Sequence, residues 1–155
     1  MSTLAQSYRI PVYKVQLVRE SSVPHEQRQV RSSADVAALL RLYLDGADRE
    51  HFVVILLDTK NKVIGINTVS TGSLSASVVH PREVFKPAIV SNAYAMLCGH
   101  NHPSGDPQPS QEDRKLTQRL VDAGKLLGIG VLDHVIVGDG SDKAFSFADE
   151  GLLGV

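Results

Sequence analysis

The chain has 155 residues, 43% of them hydrophobic and 21% charged, a length and balance that suit one water-soluble globular domain with a substantial core. Its 16 basic and 17 acidic residues give a formal charge of −1, which excludes a generally basic, nucleic-acid-binding surface. Cys98 is the single cysteine, so an internal disulfide and an all-thiolate zinc site are excluded. No apolar run approaches the ~20 residues of a membrane helix, and the start lacks a secretory apolar region, so we expect a cytoplasmic protein.

The first predicted elements are a strand, a loop and a helix. Alternating and β-branched side chains over residues 8–18 predict an early strand, and the polar residues 19–31 predict a loop. Ser32 or Ser33 then caps a helix that ends at Gly46. The apolar residues of this helix recur at helical spacing: Val36, Leu39, Leu40, Tyr43 and Leu44.

A hairpin is predicted next. Residues 51–58 are almost all apolar, as in a strand covered on both faces, and the turn at 59–62 leads into a returning strand over 63–70. Another extended piece is predicted over 73–79. Pro81 suits the first position of a helix reaching about residue 93, which Pro87 would kink or restart.

The second half of the chain predicts a short strand over 95–100, a long helix from Ser110 to about Gly128 and a buried strand over 131–137. The tail is expected to add a last strand and a short helix. Strands and helices that alternate in this way predict a single α/β (α+β) domain, with a mixed β-sheet sandwiched between helices.

The stretch GHNHPSGDPQPSQED, residues 99–113, predicts a metal site. Residues i and i+2 of a strand share one face, so His100 and His102 can present their imidazoles together. The Pro- and Gly-rich loop can fold back, which brings the first turn of the next helix, with Asp113, towards them. Two histidines and one carboxylate leave a coordination position open for water, which suits hydrolysis. Ser110 is the predicted N-cap of that helix.

A general base for such a site has no obvious source within the same stretch, because Asp106 and Glu112 belong to the loop and the helix start. We expect a carboxylate from a neighbouring strand. Glu50, at the turn that enters the strand at 51–58, is the natural candidate. Glu83 in a helix's first turn and Asp58 at the hairpin turn are the alternatives.

The spacing His100-x-His102, seven residues, Ser110, two residues, Asp113 reproduces the H-x-H-x7-S-x2-D signature of the JAMM (MPN-type) metalloproteases. The wider sequence resembles the RadC-like branch of that superfamily over about residues 32–138, including EHFVVILLDTKNKVIG and LGIGVLDHVIVG. The resemblance implies a JAMM/MPN, cytidine-deaminase-like architecture over residues 32–155, preceded by a strand and loop extension over residues 1–31.

The resemblance also implies roles for five residues. His100, His102 and Asp113 would hold one Zn²⁺ per chain, Glu50 would be the general base, and Ser110 would hydrogen-bond the oxyanion of the tetrahedral intermediate. The implied reaction is cleavage of a peptide or isopeptide bond in a protein or peptide substrate.

The alternative is a non-catalytic metal-binding partner module of DNA-repair or mobile-element machinery. Longer RadC-like proteins carry an N-terminal helix-hairpin-helix region associated with DNA, which is not found in this sequence. Together with the near-zero net charge, this argues against a role in DNA binding. A zinc nucleobase deaminase is excluded, because the H-x-E and P-C-x-x-C pattern is missing.

Several other residues have plainer interpretations. His134 is expected to be a core histidine bonded to a neighbour such as Asp133, and Cys98 a small buried residue of a strand. Asp106 is expected to shape its loop or to accept a hydrogen bond from a site histidine. The remaining histidines are predicted at the surface, at the rim of the site or at a helix entry: His25, His51 and His80.

Overall fold

The apolar runs of the sequence form the strands of one five-stranded sheet, in a computed structural model that describes residues 7–26, 28–72 and 79–154. The strands are β1 (His51–Leu57), β2 (Val63–Thr71), β3 (Ala95–His102), β4 (Gly130–Gly138) and β5 (Ala144–Ser146). They lie in the order β2-β1-β3-β4-β5. The β3–β4 pair is parallel and the other pairs are antiparallel, so the sheet is mixed, as predicted.

In the part of the chain that the structure describes, three helices cover the two faces of this sheet. They are α1 (Ser33–Tyr43), α2 (Pro81–Val90) and α3 (Gln111–Leu127). The helix α1 packs against β3 and β4 on one face, whereas α2 and α3 share a hydrophobic core with the opposite face. The predicted single α+β domain with a sheet between helices is therefore confirmed.

The strand β1 shows why its sequence is apolar throughout. Alternate side chains of a strand point to opposite faces, and both faces here are covered. Val53, Ile55 and Leu57 pack in the core beneath α1. Phe52, Val54 and Leu56 pack in the core beneath α2 and α3, together with Met96 and Cys98 of β3. The even-numbered residues of β3 therefore face α3, which sets the side on which His100 and His102 lie.

Four sequence-based predictions need correction or concern residues that the structure does not describe. The early strand over residues 8–18 is wrong: this segment pairs with no strand among the described residues, and its side chains are exposed, because a strand forms only where it finds a partner. The tail forms β5, but its predicted helix is a turn over residues 147–151. The predicted extended piece at 73–79 lies outside the described residues, except for the buried Val79. Pro87 is accommodated within α2, which runs on to Val90.

The end of β4 contacts the loop that follows β3, and Gly138 makes this contact feasible. A Cβ atom at Gly138 would lie 2.0 Å from the backbone carbonyl oxygen of Gly105, which a side-chain rotation cannot relieve. We expect Gly138→Ala to lower the free energy of unfolding by about 3 kcal/mol or more, at or above the upper end of the usual cost of overpacking. Urea unfolding measures this change.

Gly130→Ala is the matched control on the same strand, because its Cβ would lie 3.7 Å from Leu132 Cδ2, an ordinary contact distance. Equal stability of the two variants would show that the loop does not rest on β4 in this way.

Candidate metal centre

The strands β1 and β3 bring Glu50 and the two histidines together at one end of the sheet, where β1 begins and β3 ends. Phe52 pairs with His100 in the antiparallel register, so continuing that register by two residues sets Glu50 opposite His102. Residues directly opposite each other on antiparallel strands share a face. The measured distance agrees, because Glu50 Oε1 lies 3.9 Å from His102 Nε2.

The loop after β3 folds back over the strand end and is held there by hydrogen bonds. Gly105, in the left-handed region at φ +87°, donates its backbone N–H to the carbonyl of His102 at 3.0 Å. His102 Nδ1 lies 2.8 Å from the carbonyl oxygen of Asp106. Asp106 therefore orients a site histidine as predicted, although it uses its backbone rather than its carboxylate.

The helix α3 begins in a capping box that fixes Asp113. The Ser110 hydroxyl accepts a hydrogen bond from the Asp113 backbone N–H at 3.0 Å. The Asp113 carboxylate accepts one from the Ser110 backbone N–H at 2.9 Å. This reciprocal pair satisfies two helix-end donors and turns the Asp113 side chain inward.

The side chains of His100, His102 and Asp113 converge. The Nε2 atoms of the two histidines lie 3.0 Å apart. One carboxylate oxygen of Asp113 lies 3.4 Å from His100 Nε2, and the other lies 3.3 Å from His102 Nε2. In tetrahedral zinc sites, bonds of about 2.0–2.1 Å set ligand atoms about 3.3 Å apart. The spacing and the chemistry of these donors therefore fit a zinc ion.

Glu50 provides a second carboxylate at the same centre. The ligand atoms of Glu50, His100 and His102 all lie within 4.8 Å of one another, so these three residues also form a group that can hold a metal ion. The Glu50 side chain is 31% exposed and that of Asp113 only 9%. Asp113 is therefore the closer and more firmly held carboxylate, and Glu50 lies at the open side of the site.

The charges of the centre are strongly coupled. Burial alone would raise the pKa of Asp113, but the imidazoles of His100 and His102, whose Nε2 atoms lie 3.4 and 3.3 Å from its carboxylate oxygens, hold it far below its usual range. The hydrogen bond to Asp113 raises the pKa of His102 above its ordinary value, and burial opposes this effect only in part. In the metal-free protein the pair is therefore an ionised Asp113 beside a readily protonated His102.

This pair predicts a defined pH dependence of stability in the absence of metal. A raised His102 pKa stabilises the fold fully below the ordinary value of 6.5, and this contribution is lost as pH rises through the folded pKa. The lowered pKa of Asp113 stabilises the fold above pH 3.8, and this contribution is lost as pH falls towards the pKa of the folded state. We expect His102→Gln to destabilise chelator-treated protein more at about pH 5.5 than at about pH 9.

Chemical unfolding at the two pH values measures this difference, and His25→Gln is the control, because His25 is exposed. A destabilisation by His102→Gln that grows with pH would contradict the pairing of His102 with Asp113.

Asn101, between the two histidines, is a residue that the sequence did not single out. Its buried side chain accepts from the His51 backbone N–H at 2.8 Å and donates to the Arg49 carbonyl at 2.9 Å. It also donates to Asp139 Oδ2 at 2.8 Å. Asn101 therefore forms hydrogen bonds with the backbone on both sides of Glu50, and these bonds connect Glu50 to the strand of the two histidines. The H-N-H triplet was the only available signal, because the partners are backbone groups about 50 residues away.

The prediction for His134 is right about its burial and wrong about its side-chain partner. Asp133 accepts from the backbone N–H of His134 at 2.7 Å, because neighbouring side chains of a strand point to opposite faces. The imidazole of His134 instead lies 2.7 Å from His100 Nδ1 and 2.6 Å from Thr117 Oγ1. Burial lowers the pKa of His134 well below its ordinary value, so the ring is neutral.

The other candidate residues are not brought to the centre. Asp58 accepts backbone hydrogen bonds in the β1–β2 turn, at the far end of β1 from Glu50. Glu83 pairs with Lys86 at 2.8 Å in the first turn of α2. His80 is the N-cap of α2, as its predicted helix-entry role requires. Burial raises the pKa of the Cys98 thiol to about 12, so it is no nucleophile.

A mixed sheet between helices, with two histidines at a strand end and a carboxylate from the next helix, defines a class of α+β domain with a candidate metal centre. The sequence model of one protein family, the RadC-like JAB domain, matches residues 30–152 of the chain. The chain belongs to this RadC-like JAB domain family, within the JAB/MPN superfamily.

Curated relatives agree with this assignment. UPF0758 proteins of Rubrobacter xylanophilus and Desulforamulus reducens are 52% and 50% identical, over 90% and 87% of this chain. A UPF0758 protein of Moorella thermoacetica is 57% identical over 72% of the chain. The matches span 61%, 59% and 48% of these relatives, so the chain corresponds to only part of their length. In the described part of the chain, no helix is long and apolar enough to cross a membrane.

Proposed function

We propose that this protein is a zinc-dependent metallohydrolase that cleaves a peptide or isopeptide bond in a protein or peptide substrate. The observation that carries the proposal is the convergence of His100, His102 and Asp113, with donor atoms 3.0–3.4 Å apart, beside a second carboxylate. These three residues would hold one zinc ion per chain. Bound zinc would polarise the scissile carbonyl and lower the pKa of a water molecule.

Glu50 is the proposed general base. It lies at the open side of the centre, 3.9 Å from His102 Nε2, where a carboxylate can reach both a water molecule and a substrate. Its partly exposed side chain can take a proton from the attacking water and deliver it to the leaving amine. Asn101 supports this role by holding the backbone on either side of Glu50.

Ser110 is the proposed hydrogen-bond donor to the oxyanion. Its oxygen accepts from the Asp113 backbone N–H, which leaves the hydroxyl proton available for donation. Ser110 is also exposed and adjoins Asp113, so a substrate carbonyl can approach it. The residue would thus combine a structural role as N-cap with a role in stabilising the intermediate.

Substitution of Ser110 separates these two roles. We expect Ser110→Ala to lower the free energy of unfolding by about 1 kcal/mol through loss of the cap, and kcat by about 100-fold or more through loss of the donor. Ser110→Thr, which keeps a hydroxyl, should retain most of both. Urea unfolding and peptide hydrolysis measure the two effects. Wild-type kcat in Ser110→Ala would remove Ser110 from the reaction.

The first test is the metal content of purified protein and its hydrolysis of a fluorogenic peptide library and of isopeptide-linked peptide pairs. We expect one zinc per chain, hydrolysis of at least one probe, loss of both with a chelator and recovery of both with added zinc. Protein that binds no zinc after exposure to it would overturn the proposal.

The same measurements discriminate the alternative, a metal-binding partner module without catalytic activity. Such a module would bind zinc at the same residues and hydrolyse no probe. The presence of a second carboxylate next to the ligands favours the hydrolase, since a purely structural zinc site is closed by its four ligands and needs no base.

A further inference from the structure

Behind the candidate metal centre lies a chain of buried hydrogen bonds that the proposed reaction does not use. His100 Nδ1 lies 2.7 Å from His134 Nε2, and His134 Nδ1 lies 2.6 Å from Thr117 Oγ1. Thr117 Oγ1 donates to the backbone carbonyl of Asp113 at 2.7 Å. His100, His134 and Thr117 are each at most 1% exposed, so the chain lies away from bulk solvent. The chain begins at one proposed ligand and ends on the backbone of another.

The direction of these hydrogen bonds follows from the donors available. The Asp113 carbonyl can only accept, so the single hydroxyl proton of Thr117 must be the one that points to it. Thr117 Oγ1 must then accept from His134, which requires a proton on His134 Nδ1. A neutral imidazole carries one N–H, so His134 Nε2 is an acceptor and His100 Nδ1 must be the donor to it.

A neutral His100 ring that has its one proton on Nδ1 directs the lone pair of Nε2 at the centre, towards the space beside His102 Nε2 and Asp113 where a metal ion would lie. We propose that His134 and Thr117 are positioning residues that fix the Nδ1–H tautomer of His100 and thereby prepare its Nε2 atom to bind the metal. The proposal rests on the metal site of the proposed function, but the tautomer itself exists with or without metal.

The packing around His134 supports a fixed geometry. Its ring stacks on Phe147 with centroids 5.0 Å apart, and the edge of the ring meets Phe52 at 5.5 Å. Phe52 also stacks on His100 at 6.0 Å. Aromatic contacts as well as hydrogen bonds therefore hold the imidazoles of His100 and His134, so each ring keeps its orientation.

Thr117→Val tests the relay because it keeps the branched shape and removes the hydroxyl. His134 Nδ1–H then has no acceptor, so the unpaired proton favours the opposite tautomer, with His134 Nε2–H donating to His100 Nδ1. That arrangement puts the proton of His100 on Nε2 and blocks the metal. We expect zinc affinity to fall by about 10- to 100-fold, the usual effect of losing an outer partner of a histidine ligand.

Long-range ¹H–¹⁵N NMR of the imidazoles in chelator-treated protein reads the tautomers directly. We expect Nδ1–H at His100 and His134 in the wild type, Nε2–H at both in Thr117→Val, and the wild-type pattern with wild-type zinc affinity in Thr117→Ser. Competitive titration with a zinc chelator dye measures the affinities.

Nε2–H at His100 in the wild type would overturn the relay, as would a Thr117→Val protein with unchanged tautomers and zinc affinity. The wild-type spectrum decides the question even if Thr117→Val does not fold. Failure of the proposed metal site gives a different result, because zinc would then not bind to wild-type protein whatever tautomers its spectrum shows. Failure of the proposed hydrolysis alone would leave the tautomers and the zinc affinity unchanged.

Discussion

Replacing Glu50 with Gln should abolish hydrolysis and leave zinc bound. Glutamine has nearly the same shape but cannot take a proton from water, and loss of a general base costs about 100- to 10,000-fold in rate. Zinc should remain at one ion per chain, because His100, His102 and Asp113 form the tighter set of donor atoms. Metal analysis and single-substrate kinetics on the same preparation measure both quantities.

Glu83→Gln is the matched control, since Glu83 is a similarly exposed glutamate that pairs with Lys86 on α2. It should keep both zinc and activity. Because Glu50 also forms a potential metal-binding group with the two histidines, a Glu50→Gln protein without zinc would identify Glu50 as a ligand rather than a base.

Replacing Asp113 with Asn should give the complementary result, which is loss of zinc with little damage to the helix. The amide oxygen of asparagine can still accept from the Ser110 backbone N–H, so the start of α3 remains capped. The negative charge that faces His100 and His102 is removed. We expect zinc affinity to fall by more than about 100-fold, beyond the 10- to 100-fold effect of losing an outer partner of a ligand.

Glu112→Gln controls for charge, because it removes one carboxylate from the same turn of α3 on its exposed side. Zinc titration should separate the two variants, while urea unfolding in chelator should show that both fold. Equal zinc affinity of Asp113→Asn and wild type would exclude Asp113 from the ligand set.

Much of this architecture could be predicted because its signals are local. The apolar run of β1, the helical spacing in α1 and the Ser110 cap each reflect contacts within one element or its immediate cover. The convergence of the two histidines with Asp113 could also be predicted, because strand alternation and a short folded loop fix it within 14 residues, from His100 to Asp113.

The outer partners of the site could not be predicted, because they depend on sheet register. Nothing in the sequence near His134 indicates that β4 runs parallel to β3 with Cys98 opposite His134. This register places the imidazole of His134 beside that of His100. The early strand failed for a related reason. The pattern of residues 8–18 describes a strand, but pairing requires a free edge at the right place, which a local pattern cannot specify.

The side-chain amide of Asn101 has a consequence for how this domain can change. It bonds to the backbone on both sides of Glu50, so the proposed base is tied directly to the strand of the two histidines. The neighbouring strand adds one further tie, because the Glu50 carbonyl accepts from the Gly72 backbone N–H at 2.8 Å. None of these hydrogen bonds involves α2. Insertions or deletions in α2 can therefore be tolerated while the distance from Glu50 to the two histidines stays constant.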